Sequence, residues 1–185
     1  MELLPFLRTQ VRANRLANHR LHTALRPLSR DEFHAVRTSF FPSLSKTLNH
    51  ILAVDIYYLA ALHDEADMEA QWRAFVPADT VVALAMAQTR ADQRFIDLLD
   101  AMTPERLDDV IDLDRGDHIQ RERRGNVIAH LLNHQVHHRG QAHAMLAGTS
   151  IMPPQLDEFL MPSEAHLREA DVRSLGWTET DLFPL

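Results

Sequence analysis

Asn133-His134-Gln135-Val136-His137-His138-Arg139-Gly140-Gln141 lies inside a helical pattern that runs from about Arg124 to Ala147. At about 100° per residue, Val127, Leu131, Ala142 and Met145 share one side of that helix. His134 and His138 fall in the middle of the same apolar side. They are four apart, so one stacks a turn above the other. His130 and Gln141 lie on the flank of this face, and His137 lies slightly further round. His143 points away. Two imidazoles facing a core without partners would each cost about 1–3 kcal/mol. A metal ion held between them removes that cost; a hydrogen-bonded polar cluster is the competing reading.

Working outward, the chain supplies three more long amphipathic patterns. The first runs from about Leu4 to Leu25 with Leu7, Val11, Leu21 and Leu25 at helical spacing. His19 and His22 are neighbours on it and read as surface or rim residues. Ser29-Arg30-Asp31-Glu32 is a capping box that starts a short helix, and Phe40-Phe41-Pro42 breaks the pattern. The second long helix spans about Ser43 to Leu62, with Leu44, Leu48, Ile51, Tyr58 and Leu62 inward. His50 lies on the edge of its stripe, where it can reach a bundle interior. Asp55 sits within the stripe, which predicts a partner base or a role in orienting a neighbour. The third runs from about Asp79, as N-cap, to Ala101, with Val82, Met86, Phe95, Leu98 and Leu99 on its core face.

Between the third and fourth helices, Val110 to Asp114, Gly116-Asp117 and His118-Ile119 predict a small hairpin. After the fourth, Pro153-Pro154 precedes an expected short helix over Gln155–Leu160. A last amphipathic turn covers Ser163–Val172, and Trp177 and Phe183 are expected to dock on the bundle. Arg139 is expected to make a salt bridge off the metal face, and Gly140 to allow close helix packing. Four long helices with two long connections predict an all-α four-helix bundle with short extra helices, one domain over residues 1–185.

Composition narrows the function. The chain has 185 residues and a net charge of −7 with its 12 histidines neutral. An acidic balance argues against a nucleic-acid binder, which needs a basic face to displace counterions. No cysteine is present, so no protein thiol can act as nucleophile or ligand. No apolar run approaches the roughly 18 residues of a membrane span, and Met1-Glu2-Leu3-Leu4-Pro5-Phe6 does not read as a signal peptide. A cytoplasmic protein is expected. The long helices carry no Glu-x-x-His pair of the di-iron type, and Gln135 replaces the glutamate of a His-Glu-x-x-His motif.

The stretch from His130 through Asn133, His134, His137, His138, Arg139 and Gly140 to Gln141 resembles the signature of the DinB family. So do Thr47-Leu48-Asn49-His50-Ile51-Leu52, followed by Asp55 and Tyr58, and the earlier Arg37-Thr38-Ser39-Phe40-Phe41. The resemblance covers nearly the whole chain. It implies a four-helix bundle holding a divalent metal, zinc or nickel, on three histidines. One comes from the second helix and two from the fourth: by motif position, His50, His134 and His138. The family name stems from DNA-damage induction and implies no DNA binding. Relatives with assigned chemistry are transferases and isomerases that use low-molecular-weight thiols, and a few hydrolases.

Three neutral imidazoles leave a metal with open positions for water or substrate, the pattern of catalytic sites. Lacking cysteine, the protein would draw any thiolate from a cofactor or substrate. Asp55, His130, His137 and Gln141 are the candidates for orienting the ligands. The expectation is a metal-dependent, thiol-dependent transferase or hydrolase acting on a small molecule. The alternative is a non-catalytic, metal-binding stress-response protein in which the ion staples the bundle. A homodimer is expected, with Val136 and Leu132 on the side of the fourth helix away from the metal, covered by a partner or by the C-terminal segment.

Overall fold

The computed structural model describes residues 2–184. In chain order it contains α1 (Leu3–Leu25), α2 (Arg30–His34), α3 (Leu44–Leu62), α4 (Met68–Arg73) and α5 (Val81–Ala101). A 3-10 turn at Pro104–Asp108 leads to strands β1 (Val110–Asp114) and β2 (Ile119–Arg123). Then follow α6 (Arg124–Leu146), a 3-10 turn at Pro162–Glu164, α7 (Ala165–Ser174) and α8 (Glu179–Leu182). The expected four-helix bundle is present as α1, α3, α5 and α6. Helix α1 packs along α5 and α3 along α6, while α3–α5 and α1–α6 contacts close the ring. None of the described helices is long and apolar enough to cross a membrane.

Local chemistry explains most of the boundaries. The Ser29 hydroxyl accepts from the Glu32 N–H at 3.2 Å and the Glu32 carboxylate accepts from the Ser29 N–H at 3.0 Å, the expected capping box. Ser43 caps α3 by accepting from the Lys46 N–H. Helix α5 is capped by Thr80, which accepts from the Ala83 N–H. The expected cap, Asp79, instead forms an exposed two-pronged pair with Arg30. The hairpin forms antiparallel with Val110 opposite Arg123 and Asp114 opposite Ile119, its second strand running on to Arg123, four residues beyond the expected end at Ile119. Gly116 sits at φ +89° in its turn, a conformation that disfavours any side chain.

Other expectations fail for physical reasons. Val82 and Met86 are 62% and 58% exposed, because the inward stripe of α5 is Val81, Leu84, Gln88, Ala91, Asp92 and Phe95. Two of those inward positions are polar, so counting apolar residues misplaced Val82 and Met86, whereas Phe95, Leu98 and Leu99 are buried as expected. Residues 155–160 are irregular rather than helical. Their carbonyls are taken by side chains from elsewhere: Gln155 accepts from Arg20 at 2.9 Å and Glu158 from Arg168 at 3.3 Å. Gly140 packs against nothing, since a Cβ built there would find open space.

The core is divided in two. The larger cluster fills the bundle, with Leu21, Leu25, Leu59, Leu84, Leu99 and Leu131 among its fully buried members. A smaller one joins Leu16 and Ala17 of α1 to Phe159, Val172 and Leu182, with Trp177 and Phe183 docked as expected. Between the helices runs a layer of buried polar groups. Gln88 donates to Asp55 at 2.6 Å and to Asp92 at 3.0 Å; Asn18 donates to Asp92 at 2.9 Å and to Gln135 at 3.3 Å. Arg139 belongs to this layer. It is 6% exposed and donates to Asn14 and Asn18, so it turns inward instead of forming the expected salt bridge. His22 is likewise buried, not on the rim.

Candidate metal centre

Two helices bring the site together. On α6 the inward side carries buried Val127, Leu131, Ala142 and Met145, as the periodicity requires. His134 and His138 sit on successive turns of that helix, with ring centroids 4.4 Å apart. On α3, buried Thr47, Leu48 and Ile51 surround the base of His50 and turn its ring toward α6. His50 lies 5.0 Å from His134 and 4.7 Å from His138, centroid to centroid. One nitrogen from each of the three rings lies within 4.8 Å of the others, a grouping that could hold a metal ion.

The donor chemistry fits such an ion. The Nε2 atoms of His50 and His134 are 3.0 Å apart. Two nitrogens bound at about 2.0–2.1 Å to one tetrahedral ion would stand roughly 3.3 Å apart. His138 Nδ1 lies 2.9 Å from the side-chain oxygen of Gln141, so it donates and carries the ring proton. Its Nε2 is then left with a lone pair, the tautomer that a ligand needs. Gln141 in turn donates its amide to His137 Nε2 at 3.0 Å. One residue thus fixes one ring of the cluster and ties down its neighbour.

Burial keeps these rings neutral. It pushes His50 down to about 4 and His134 to about 3, helped in each case by the neighbouring imidazoles. His138 is lowered by the same desolvation, opposed by its bond to Gln141.

The other expected residues occupy distinct places. Asp55 is buried and accepts from Gln88 and Gln135, with no hydrogen bond to any of the three rings. Desolvation raises its carboxyl well above the usual range. It therefore anchors the helix turn beneath His134 through the adjacent Gln135. His130 is exposed, 6.2 Å from His134 between centroids, and edges onto Tyr58 at 5.2 Å. His137 is exposed beside His138.

Several neighbours escaped the sequence. The Phe41 ring lies 4.3 Å from that of His50 and 5.5 Å from that of His138, forming an apolar wall for the cluster. It comes from an irregular segment that carries no periodic signal. Next to the cluster opens a cavity of about 560 Å³ lined by Tyr57, Tyr58, Trp72, Arg115, His130 and His134. Arg115 donates to the Tyr58 hydroxyl at 3.0 Å and lies over both tyrosine rings. These residues come from α3, α4, the hairpin turn and α6, which only the tertiary fold unites. No curated protein matches the chain. The sequence model of the DinB family matches residues 5–171, nearly the whole length, and the chain belongs to that family.

Proposed function

We propose that the protein binds one divalent metal ion on His50, His134 and His138 and acts as a metal-dependent enzyme on a small molecule. The observation that carries this reading is the sharing of His134 between the three-histidine cluster and the adjoining aromatic cavity. A closed structural site has no need of such an opening. When bound, the metal would supply Lewis acidity that lowers the pKa of a water or thiol at its open positions. The chain's own residues would do the rest. Gln141 holds the His138 ring with its Nε2 free, Phe41 keeps one side dry, and Tyr57, Tyr58 and Trp72 offer flat faces to a substrate.

Family membership favours a thiol-dependent transferase or hydrolase, with zinc or nickel as the ion. Because the chain has no cysteine, the thiol would be a low-molecular-weight cofactor or substrate. A cytoplasmic location belongs to the same reading, since such thiols stay reduced there. We also propose a homodimer. Val136 is 63% exposed on the outer side of α6, whereas Leu132 is already half-buried against the main core. Light scattering that gives a monomer mass at micromolar concentration would remove the dimer.

The ligand assignment is tested by metal stoichiometry in purified variants under one set of conditions. His50→Ala, His134→Ala and His138→Ala should each lose the ion. His130→Ala and His137→Ala should retain it. Retention in His50→Ala combined with loss in His130→Ala or His137→Ala would overturn the assignment. The competing reading, a non-catalytic stress-response protein stapled by its ion, gains if no thiol or exchangeable water is found on the bound metal.

A further inference from the structure

We propose a second ligand site, in the groove between α1 and α5, for a small organic oxyanion: a phosphate or carboxylate carried on an apolar body. The groove encloses about 630 Å³ and shares no lining residue with the aromatic cavity or the histidine cluster. Its charged lining is wholly basic. Arg15, Arg26 and Arg90 face it beside the imidazoles of His19 and His22, and no acidic side chain lines it among the described residues. This is unusual on a chain whose net charge is −7.

Two observations point to an absent partner. Arg26 and Arg90 are exposed, yet neither makes a salt bridge or a side-chain hydrogen bond among the described residues. Most other arginines of the protein are paired, as Arg12 is with Asp100 and Arg94 with Glu65. Deeper in, His22 is 6% exposed and its Nδ1 is sealed from solvent without a hydrogen-bond partner. It is one of seven such orphaned side-chain atoms among the described residues, and the one whose residue lines this groove without a charge of its own. An oxyanion in the groove would give both guanidiniums a charge-assisted acceptor in the lining that they share with His22.

The apolar half of the ligand follows from Val82 and Met86. Both are exposed on α5 and both line this groove beside the basic groups. A bare inorganic anion would leave them in water. A ring or short chain attached to the anion would cover them.

Phenyl phosphate is the probe, followed by backbone amide shifts of the isotope-labelled, metal-loaded protein. The expected result is saturable binding with shifts confined to the C-terminal half of α1 and the N-terminal half of α5. Inorganic phosphate should bind at least about tenfold more weakly. The double variant Arg26→Gln/Arg90→Gln should weaken phenyl phosphate by about tenfold or more, the loss expected for charge-assisted bonds. Both arginines are exposed and unpaired, so the variant keeps the fold. A phosphate can also bind a metal, so His50→Ala serves as the control. Binding that persists in His50→Ala supports the groove, and binding lost there overturns it. Unchanged affinity in the double variant, no saturable binding, or inorganic phosphate binding equally well would also overturn the proposal.

Discussion

A buried imidazole is a poor base, and this protein uses that fact in two places. In the histidine cluster, burial and mutual repulsion hold His50 near about 4 and His134 near about 3. Both offer lone pairs at neutral pH, as ligation requires. His22 shows the same physics far from the cluster. Burial, with Arg15 and Arg139 nearby, drives it from 6.5 to about 3. In the unfolded chain it regains its ordinary affinity for protons. Between those two values the unfolded state therefore binds the extra proton, and stability falls as pH falls. The slope from this group is about 1.4 kcal/mol per pH unit. His22→Gln should remove it, so the stability gap between the proteins should narrow steadily on acidification below pH 6.5. Urea unfolding at a series of pH values reads this directly; a constant gap would show that His22 is not buried neutral. The sequence placed His134 and His138 because two turns of one apolar face leave little freedom. It misplaced His22, since a histidine three residues from a half-buried one carries no mark of depth.

At the scale of helices, the buried polar layer is what sequence periodicity handles worst. Helix α6 reads as apolar on one side through Val127, Leu131, Ala142 and Met145, and it folds that way. Yet its opposite flank is buried too, through Gln135 and Arg139. Helix α5 repeats the case with Gln88 and Asp92, which is why Val82 and Met86 were assigned to the wrong face. A polar residue looks the same in sequence whether it meets water or another helix. The capping box at Ser29 and the hairpin were legible because both depend on neighbours in sequence. The layer itself should be costly to break at one point. Gln135 is 1% exposed, donates to Asp55 and accepts from Asn18. Replacing it with leucine leaves both partners short of a bond in a dry interior, a loss of about 2–4 kcal/mol. Gln93→Ala, on the exposed side of α5, should change stability by less than about 0.5 kcal/mol. Chemical denaturation of the two variants makes the comparison. If Gln135→Leu proves as mild as Gln93→Ala, the layer is hydrated and not sealed.

For the whole molecule, the question is whether the metal builds the bundle or is received by it. Helices α3 and α6 already pack along their length without help from an ion, through Leu48, Ile51, Leu59, Val127 and Leu131. The three histidines occupy only part of that contact and add nothing to the burial of α1 against α5. The smaller core beneath Phe159, Val172 and Leu182 lies on α1 and is independent of them. A chain of this size with a large core inside the bundle does not need metal to fold, unlike small zinc modules. Chelation should therefore leave the helical circular dichroism unchanged. It should lower the melting temperature, because a ligand that binds only the native state stabilises it by about 2.7 kcal/mol at a hundredfold excess over Kd. For a chain of this length, about 2–4 °C per kcal/mol puts the drop at roughly 5–10 °C. Restoring zinc or nickel should recover it, and His134→Ala should show no response to either treatment. Collapse of the helical signal on chelation would instead make the ion a staple, and the aromatic cavity beside it would lose its claim as a substrate site.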